Sequence, residues 1–307
     1  MNGIRVTLLI ALAAMALLLG WAWRHYERSG STPAAHRRPS PFEVLLGFVT
    51  NFFDTLGIGS FAPTTAAIRA ARLMPDEAIP GTLNIGHALP TIAQAIIFIS
   101  IIQVDPILLV AMVASAVCGA WLGAGVVVRL DRSMIQLGMG LALLVAACLF
   151  VSVNLGLLPS GGNALGLDGW RFWFALAANF VLGALMTLGV GNYGPCLIML
   201  ALLGMNPVAA FPIMTASSAF LMPVASLRFL ASKRYQVPTA LALTIGGLPA
   251  VLIAAYIVKS LPLVALRWLV AAVVTWAAIS MLRSALSVSG VWAVPQVQRP
   301  SPGQRDG

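Results

Sequence analysis

Phe48-Val-Thr-Asn-Phe-Phe-Asp54-Thr55-Leu56-Gly57-Ile58-Gly59-Ser60-Phe61-Ala62-Pro63 returns 132 residues later as Phe180-Val-Leu-Gly-Ala-Leu-Met186-Thr187-Leu188-Gly189-Val190-Gly191-Asn192-Tyr193-Gly194-Pro195. The shared skeleton is Thr-Leu-Gly-(Ile/Val)-Gly-polar-aromatic-small-Pro, and each copy sits in a long apolar run. Glycine costs about 1 kcal/mol in a helix interior, whereas proline suits the first turn of a new helix. Each copy therefore reads as a helix, an unwound glycine-rich turn, and a second short helix opening near Pro63 or Pro195. In a bilayer such irregular backbone persists only where protein or a watery cavity satisfies it. Matching Gly/Pro breaks in two halves of a chain point to a transporter's binding site.

Composition sets the class. Sixty per cent of the residues are hydrophobic and 9% charged, against roughly 25% charged in a soluble domain. Apolar runs near 20 residues recur along the chain, the length that crosses a bilayer as helix. The net charge of +9 comes from Lys and Arg at segment ends and in connectors, which suits retention on the cytoplasmic side and not nucleic-acid binding. Cys118, Cys148 and Cys196 lie in apolar segments without CxxC spacing, so they read as packing residues rather than disulfide or metal ligands.

Residues 6–23 form an apolar run with Arg5 before it and Arg24, Arg28, Arg37 and Arg38 after it. It reads as an uncleaved anchor with its N-terminus outside, and residues 1–41 are taken as anchor plus basic linker. A first unit follows at 42–156, with an interrupted segment and spans at 81–103, 106–129 and 134–155. After a connector at 157–170, a second unit at 171–286 repeats the layout, with spans at 208–228, 238–258 and 264–283. Pro80 and Pro212 keep the same 132-residue offset. The tail 287–307 is polar and Pro-rich and is expected to be disordered.

The interrupted segments either cross the membrane or turn back. The second arms, about ten residues or 15 Å, are too short to recross a ~30 Å core. Charge favours turning back. Re-entry puts 14 of the 18 Lys and Arg in the cytoplasm; crossing would move Arg69, Arg72, Arg129 and Arg132 out and Arg171 in, leaving 11. Re-entry also leaves three full spans per unit, and an odd number makes the units inverted copies. The expected fold is thus an all-α polytopic membrane protein of two homologous, inverted repeats. Each repeat is a broken, re-entrant helix pair plus three transmembrane helices, and an anchor helix precedes both.

Residues 53–59, Phe-Asp-Thr-Leu-Gly-Ile-Gly, resemble the Asp-Ser-Ile-x-Gly-Gly-Gly-Gly element of the TauE/SafE sulfite-exporter family. Gly81-Thr82-Leu83-Asn84 resembles the Gly-Thr-Asn that follows it there. Gly189-Val190-Gly191 and Met214-Thr215-Ala216-Ser217 stand where that family's second Gly-rich and Thr-Ser elements stand. The resemblance covers about 42–286 and leaves the anchor and tail outside. It implies a permease for small sulfur-containing anions such as sulfite, sulfonates or thiosulfate, often proton-linked. Ser60-Phe61 and Asn192-Tyr193 depart from the family's usual Gly-Gly at positions that would face the ligand, which leaves the exact substrate open.

The residues carry the same chemistry by themselves. An unwound turn leading into a helix presents unpaired N–H groups and the positive end of the helix dipole to an anion. Gly57, Gly59, Gly189 and Gly191 let backbone approach it; Thr55, Ser60, Thr187 and Asn192 offer side-chain donors; Phe61 and Tyr193 wall or gate the pocket. Gly59 and Gly191 are expected to behave alike. The competing reading is that these small residues only let helices pack closely. Asp54 is the acidic residue well inside an apolar segment, by default a proton relay, cation ligand or gating partner, with a cap of the break as its alternative. Its counterpart is Met186. His87, three residues after Asn84 on one helical face, would shuttle a proton or bind the anion, or else be a buried structural histidine. Asn84 and Thr215 complete the substrate-binding set. Gln94, Asn179, Ser217 and Ser218 read mainly as helix-contact polar residues.

A secondary transporter working by alternating access is the leading function. A membrane-embedded enzyme would need a metal cluster, nucleophile constellation or cofactor site, and none is visible in the sequence. A non-transporting membrane scaffold or assembly partner is the alternative, although it has no need of duplicated broken helices. No nucleotide-binding loop is seen, so an ion gradient would supply the energy, or transport is downhill. The partners expected are a small anion, protons, the lipid bilayer and, as one option, a second copy in a homodimer; no cofactor and no nucleic acid are expected.

Overall fold

The computed structural model describes residues 3–28, 38–57, 59–75, 78–127, 162–186 and 191–260, with isolated positions between 148 and 157 and at 268 and 279. Among these the chain forms nine α-helices. They are α1 Gly3–Arg28, α2 Pro41–Thr55, α3 Phe61–Ala70, α4 Ile79–Ile101, α5 Pro106–Val127, α6 Gly169–Met186, α7 Tyr193–Leu202, α8 Ala210–Ser232 and α9 Val237–Ser260. Five segments are long and apolar enough to cross a membrane: Gly3–Glu27, Ile79–Ile101, Gly169–Met186, Pro207–Ser232 and Val237–Ile257. The protein is an all-helical, multi-pass membrane protein. Of the expected spans, 134–155 (isolated positions aside) and 264–283 lie outside the described residues, as does the tail 287–307.

Helix α2 starts where the sequence signals a start. Ser40 accepts from the Glu43 amide at 3.2 Å, the Glu43 carboxylate accepts from the Ser40 amide at 2.9 Å, and Pro41 opens the first turn, a complete capping box. Glu43 is fully buried, and its other oxygen accepts from Thr239 at the start of α9. Thr82 at the start of α4 accepts from the Gln236 amide at 2.9 Å, and Tyr235 donates to Glu27 in the last turn of α1. Burial first, then Glu27, raises the Tyr235 phenol well above its usual range. Further along, Gly47 packs on Leu243 and Gly247 on Asn51 and Pro90, so α2, α4 and α9 run side by side in one direction.

Close helix approach here depends on small residues, as expected where lipid supplies no hydrophobic drive between helices. A Cβ on Gly86 would stand 3.0 Å from Leu243 Cβ, and one on Gly183 would run into the Ala116 carbonyl oxygen. Pro90 has no N–H for the Gly86 carbonyl four residues back. That carbonyl instead accepts from the Thr244 hydroxyl of α9 at 2.8 Å. The proline is tolerated because a neighbour satisfies what it frees.

Helix α1 is not a detached anchor. Leu12, Leu19, Ala22 and Trp23 are buried, with Leu12 in a core with Phe98 and Leu108 and the others in a core with Ile79 and Leu83. Trp23 therefore packs inside the bundle, while Trp21 stays exposed and stacks on His25. At the far end of α4 the Asp105 amide donates to Leu165 in the connector, at 2.8 Å. There Arg171, at the start of α6, donates to the Leu203 carbonyl just after α7, at 3.3 Å.

The 132-residue offset holds at the level of single bonds. Helix α3 ends with Leu73 N–H to Ile68 O and Arg72 N–H to Arg69 O; α7 ends with Met205 N–H to Leu200 O and Gly204 N–H to Ala201 O. Both are Schellman closures, with Arg72 at φ +50° and Gly204 at φ +96° in the left-handed position.

Candidate functional site

Both interrupted segments break where the glycines fall. In the first, α2 stops at Thr55, Gly57 and Gly59 take φ +95° and +87°, and α3 opens at Phe61. These values favour glycine because a Cβ would crowd the backbone there. In the second, α6 stops at Met186 and α7 opens at Tyr193. Thr187 and Gly189 lie outside the described residues. Neither Ser60 nor Asn192 caps its helix with its own side chain.

The two breaks meet reciprocally. Among the described residues, a Cβ on Gly59 would touch only Tyr193, at 3.9 Å, and one on Gly191 only Phe61, also at 3.9 Å. Both glycines thus lie next to the aromatic residue of the other break with ordinary room around them, unlike the helix-packing glycines above.

Asp54, in the last turn of α2, is buried and fully engaged. Its Oδ1 accepts from the Ser60 amide at 2.5 Å and its Oδ2 from Gln94 Nε2 of α4 at 2.9 Å. The carboxylate thereby sits on the first amide of the α3 start, the place a helix offers to an anion. Gln94 Oε1 accepts from the Tyr193 hydroxyl of α7 at 2.9 Å. One chain of hydrogen bonds therefore runs from the first break, through α4, to the second.

Alongside it, His87 is fully buried, with Nδ1 3.1 Å from Asn51 Oδ1 and Nε2 3.2 Å from Thr64 Oγ1. Thr64 donates to the Ser60 carbonyl at 2.7 Å, and the Phe61 ring lies 5.9 Å from the imidazole. At the second break, Asn192 is 1% exposed; its Oδ1 accepts from Ser218 of α8 at 2.9 Å, and its Nδ2 has no hydrogen-bond partner among the described residues. A buried amide nitrogen without a partner forfeits about 1–3 kcal/mol.

Of the residues singled out from sequence, the fold gathers Asp54, Gly57, Gly59, Ser60, Phe61, His87, Gly191, Asn192 and Tyr193 around the two breaks. Three others spend their donors locally. Thr55 donates to Asn51 O, Thr215 to Phe211 O and Asn84 to Pro80 O, each within its own helix, though the buried Asn84 Oδ1 is unpartnered. Asn51 and Thr64 escaped the sequence reading, and Gln94 and Ser218 were read as helix-contact residues. Their signal was available: each is a polar residue inside an apolar run. No group of three or more His, Cys, Asp or Glu that could hold a metal occurs among the described residues. A cavity of about 970 Å³ opens at the far end of α4 beside Arg5, Asp105 and Asp168, away from the breaks.

Membrane-spanning helices surrounding two broken segments, with a buried polar chain between the breaks, define a class: a polytopic helical membrane protein. Residues 2–150 match the family model of the sulfite exporter TauE/SafE. The match starts at residue 2 and so takes in α1, which the motif-based resemblance had left outside. No curated protein and no solved structure matches the chain.

Proposed function

We propose that this protein is a secondary transporter of small sulfur-containing anions such as sulfite, sulfonates or thiosulfate, proton-coupled and working by alternating access. The observation that carries the reading is the meeting of the two breaks, with Gly59 against Tyr193, Gly191 against Phe61, and the unpartnered Asn192 amide beside them. A small oxyanion there accepts from Asn192 Nδ2 and from the amides of the first turn of α7. The sulfur chemistry of the substrate comes from the family match.

In this reading both broken segments re-enter and the two units are inverted. Its support is positional. Glu43 and Thr82, before and after the first break, both bond to the start of α9. Arg171 and Leu203, before and after the second break, bond to each other at the other end of α4. Opposed breaks around one central site are the arrangement in which rocking of one half against the other exposes the site alternately.

Asp54 is the proton site. As a carboxylate it holds the α3 start; once protonated it loses the charge that the helix end favours, and a substrate anion gains that end. Counterflow of labelled sulfite, thiosulfate and a sulfonate in proteoliposomes tests the function. Exchange of at least one of them is expected. Exchange of none leaves a membrane scaffold as the better account.

A further inference from the structure

We propose that Gln94 couples protonation of Asp54, in the first break, to the hydroxyl of Tyr193, in the second, by reversing its side-chain amide. The inference rests on the reading of Asp54 as the proton site.

The two oxygens of Asp54 are not equivalent. Oδ1 accepts from a backbone amide, that of Ser60, which is a donor in every state. Oδ2 accepts from Gln94 Nε2, at the end of a side chain that has one donor face and one acceptor face on a rotatable bond. A proton arriving at the carboxyl is accommodated on Oδ2, where the partner is able to turn over. With the proton there, an O–H meets an N–H and neither accepts. Rotating the amide restores the bond: Asp54 then donates to Gln94 Oε1. The same rotation brings Nε2 to Tyr193, whose hydroxyl now accepts where it had donated at 2.9 Å. The phenol keeps its proton and must direct it elsewhere. The Thr91 and Ser218 side chains also face it, and Ser218 in turn holds Asn192. One proton has been added, at Asp54; none leaves Gln94 or Tyr193.

The relay occurs once. At the 132-residue offset, Asp54, Gln94 and Tyr193 correspond to Met186, Ser226 and Phe61. None of the three counterparts carries the matching chemistry, so the proton end belongs to the first unit and the phenol end to the second, and each biases the other equally. Other titratable groups nearby are Cys196 beside Tyr193 on α7, and His87 on α4, engaged by Asn51 and Thr64. Helix α9 brings Gly246 and Gly247 against α2, and no titratable side chain among its described residues at that level.

The test is pH-difference infrared spectroscopy on the purified protein, with transport in parallel. A carboxyl band assigned through Asp54→Asn and a side-chain amide band assigned through Gln94→Met should change with one midpoint. Asp54→Asn should abolish both, and Gln94→Met the amide band alone. In proteoliposomes Gln94→Met should lower pH-driven accumulation relative to counterflow by about tenfold, the order of one lost hydrogen bond to a charged group. Tyr193→Phe, which removes one oxygen, should lower the same ratio, and the double variant should be no worse than either single one. If the carboxyl band titrates while the amide band stays fixed, the relay is wrong and the proton site stands. If the carboxyl band does not titrate, the reading of Asp54 fails first. Should Gln94→Met not fold, an unaltered ratio in Tyr193→Phe overturns the relay.

Discussion

Gly191→Ala separates a ligand site from a packing site. The added Cβ meets one atom, Phe61 Cβ at 3.9 Å, and the residue is not in the left-handed region. Alanine therefore fits, and by restricting the unfolded chain it should stabilise by about 0.4–1 kcal/mol. The matched control is Gly183→Ala, whose Cβ would run into the Ala116 carbonyl oxygen. Forcing α5 and α6 apart should cost about 1–3 kcal/mol. For the anion the order reverses. A methyl group on Gly191 stands at the approach to the α7 start, and losing a charge-assisted hydrogen bond there costs about 1.5–3 kcal/mol, a tenfold loss of affinity or more. The assay is thermal unfolding in detergent across a sulfite series. Gly191→Ala should melt slightly above wild type without ligand and gain far less from sulfite; Gly183→Ala should melt lower and gain the usual increment. A wild-type sulfite increment in Gly191→Ala, or a stability loss as large as that of Gly183→Ala, refutes the reasoning. Gly59→Ala is not equivalent, contrary to the expectation from sequence. At φ +87° it carries about 1–3 kcal/mol of strain besides any ligand effect.

Asp54→Asn should abolish pH-driven uptake while leaving counterflow measurable, because exchange moves no net proton; undiminished pH-driven accumulation would reduce Asp54 to a cap of α3. Introduced cysteines at Arg72 and Met205 should label from opposite sides of the membrane, cytoplasmic and external, and labelling of position 72 from outside would discard the re-entrant arrangement. Thr244→Val should cost about 1–3 kcal/mol of thermal stability, since it strands the Gly86 carbonyl that Pro90 has freed; the same substitution in a Pro90→Ala background should cost much less.

What the sequence determined by itself is the local part. Apolar runs near 20 residues dictate helices, because only helix satisfies its own backbone in lipid, and the described spans fall within a few residues of those expected. The paired Gly-Gly-Pro pattern located both breaks, because glycine and proline act on the backbone of their own segment. The Ser40–Glu43 capping box works over three residues and was equally local, although only the structure drew it out. Tertiary structure alone decided which polar residues face one another. Gln94 has no sequence mark that separates it from a helix-contact glutamine, and its significance comes from Asp54, 40 residues before it, and Tyr193, 99 residues after it. Likewise α1 reads as an uncleaved anchor ahead of the two units, because an apolar helix has the same composition whether it faces lipid or protein. Burial of Leu12, Leu19 and Trp23 depends on neighbours far along the chain. Gly59 and Gly191 are the same residue in the same motif, yet one is held at positive φ and the other is not. The difference is not written in the motif: Asp54 holds the Ser60 amide in the first copy, and the second has Met186 at the matching position.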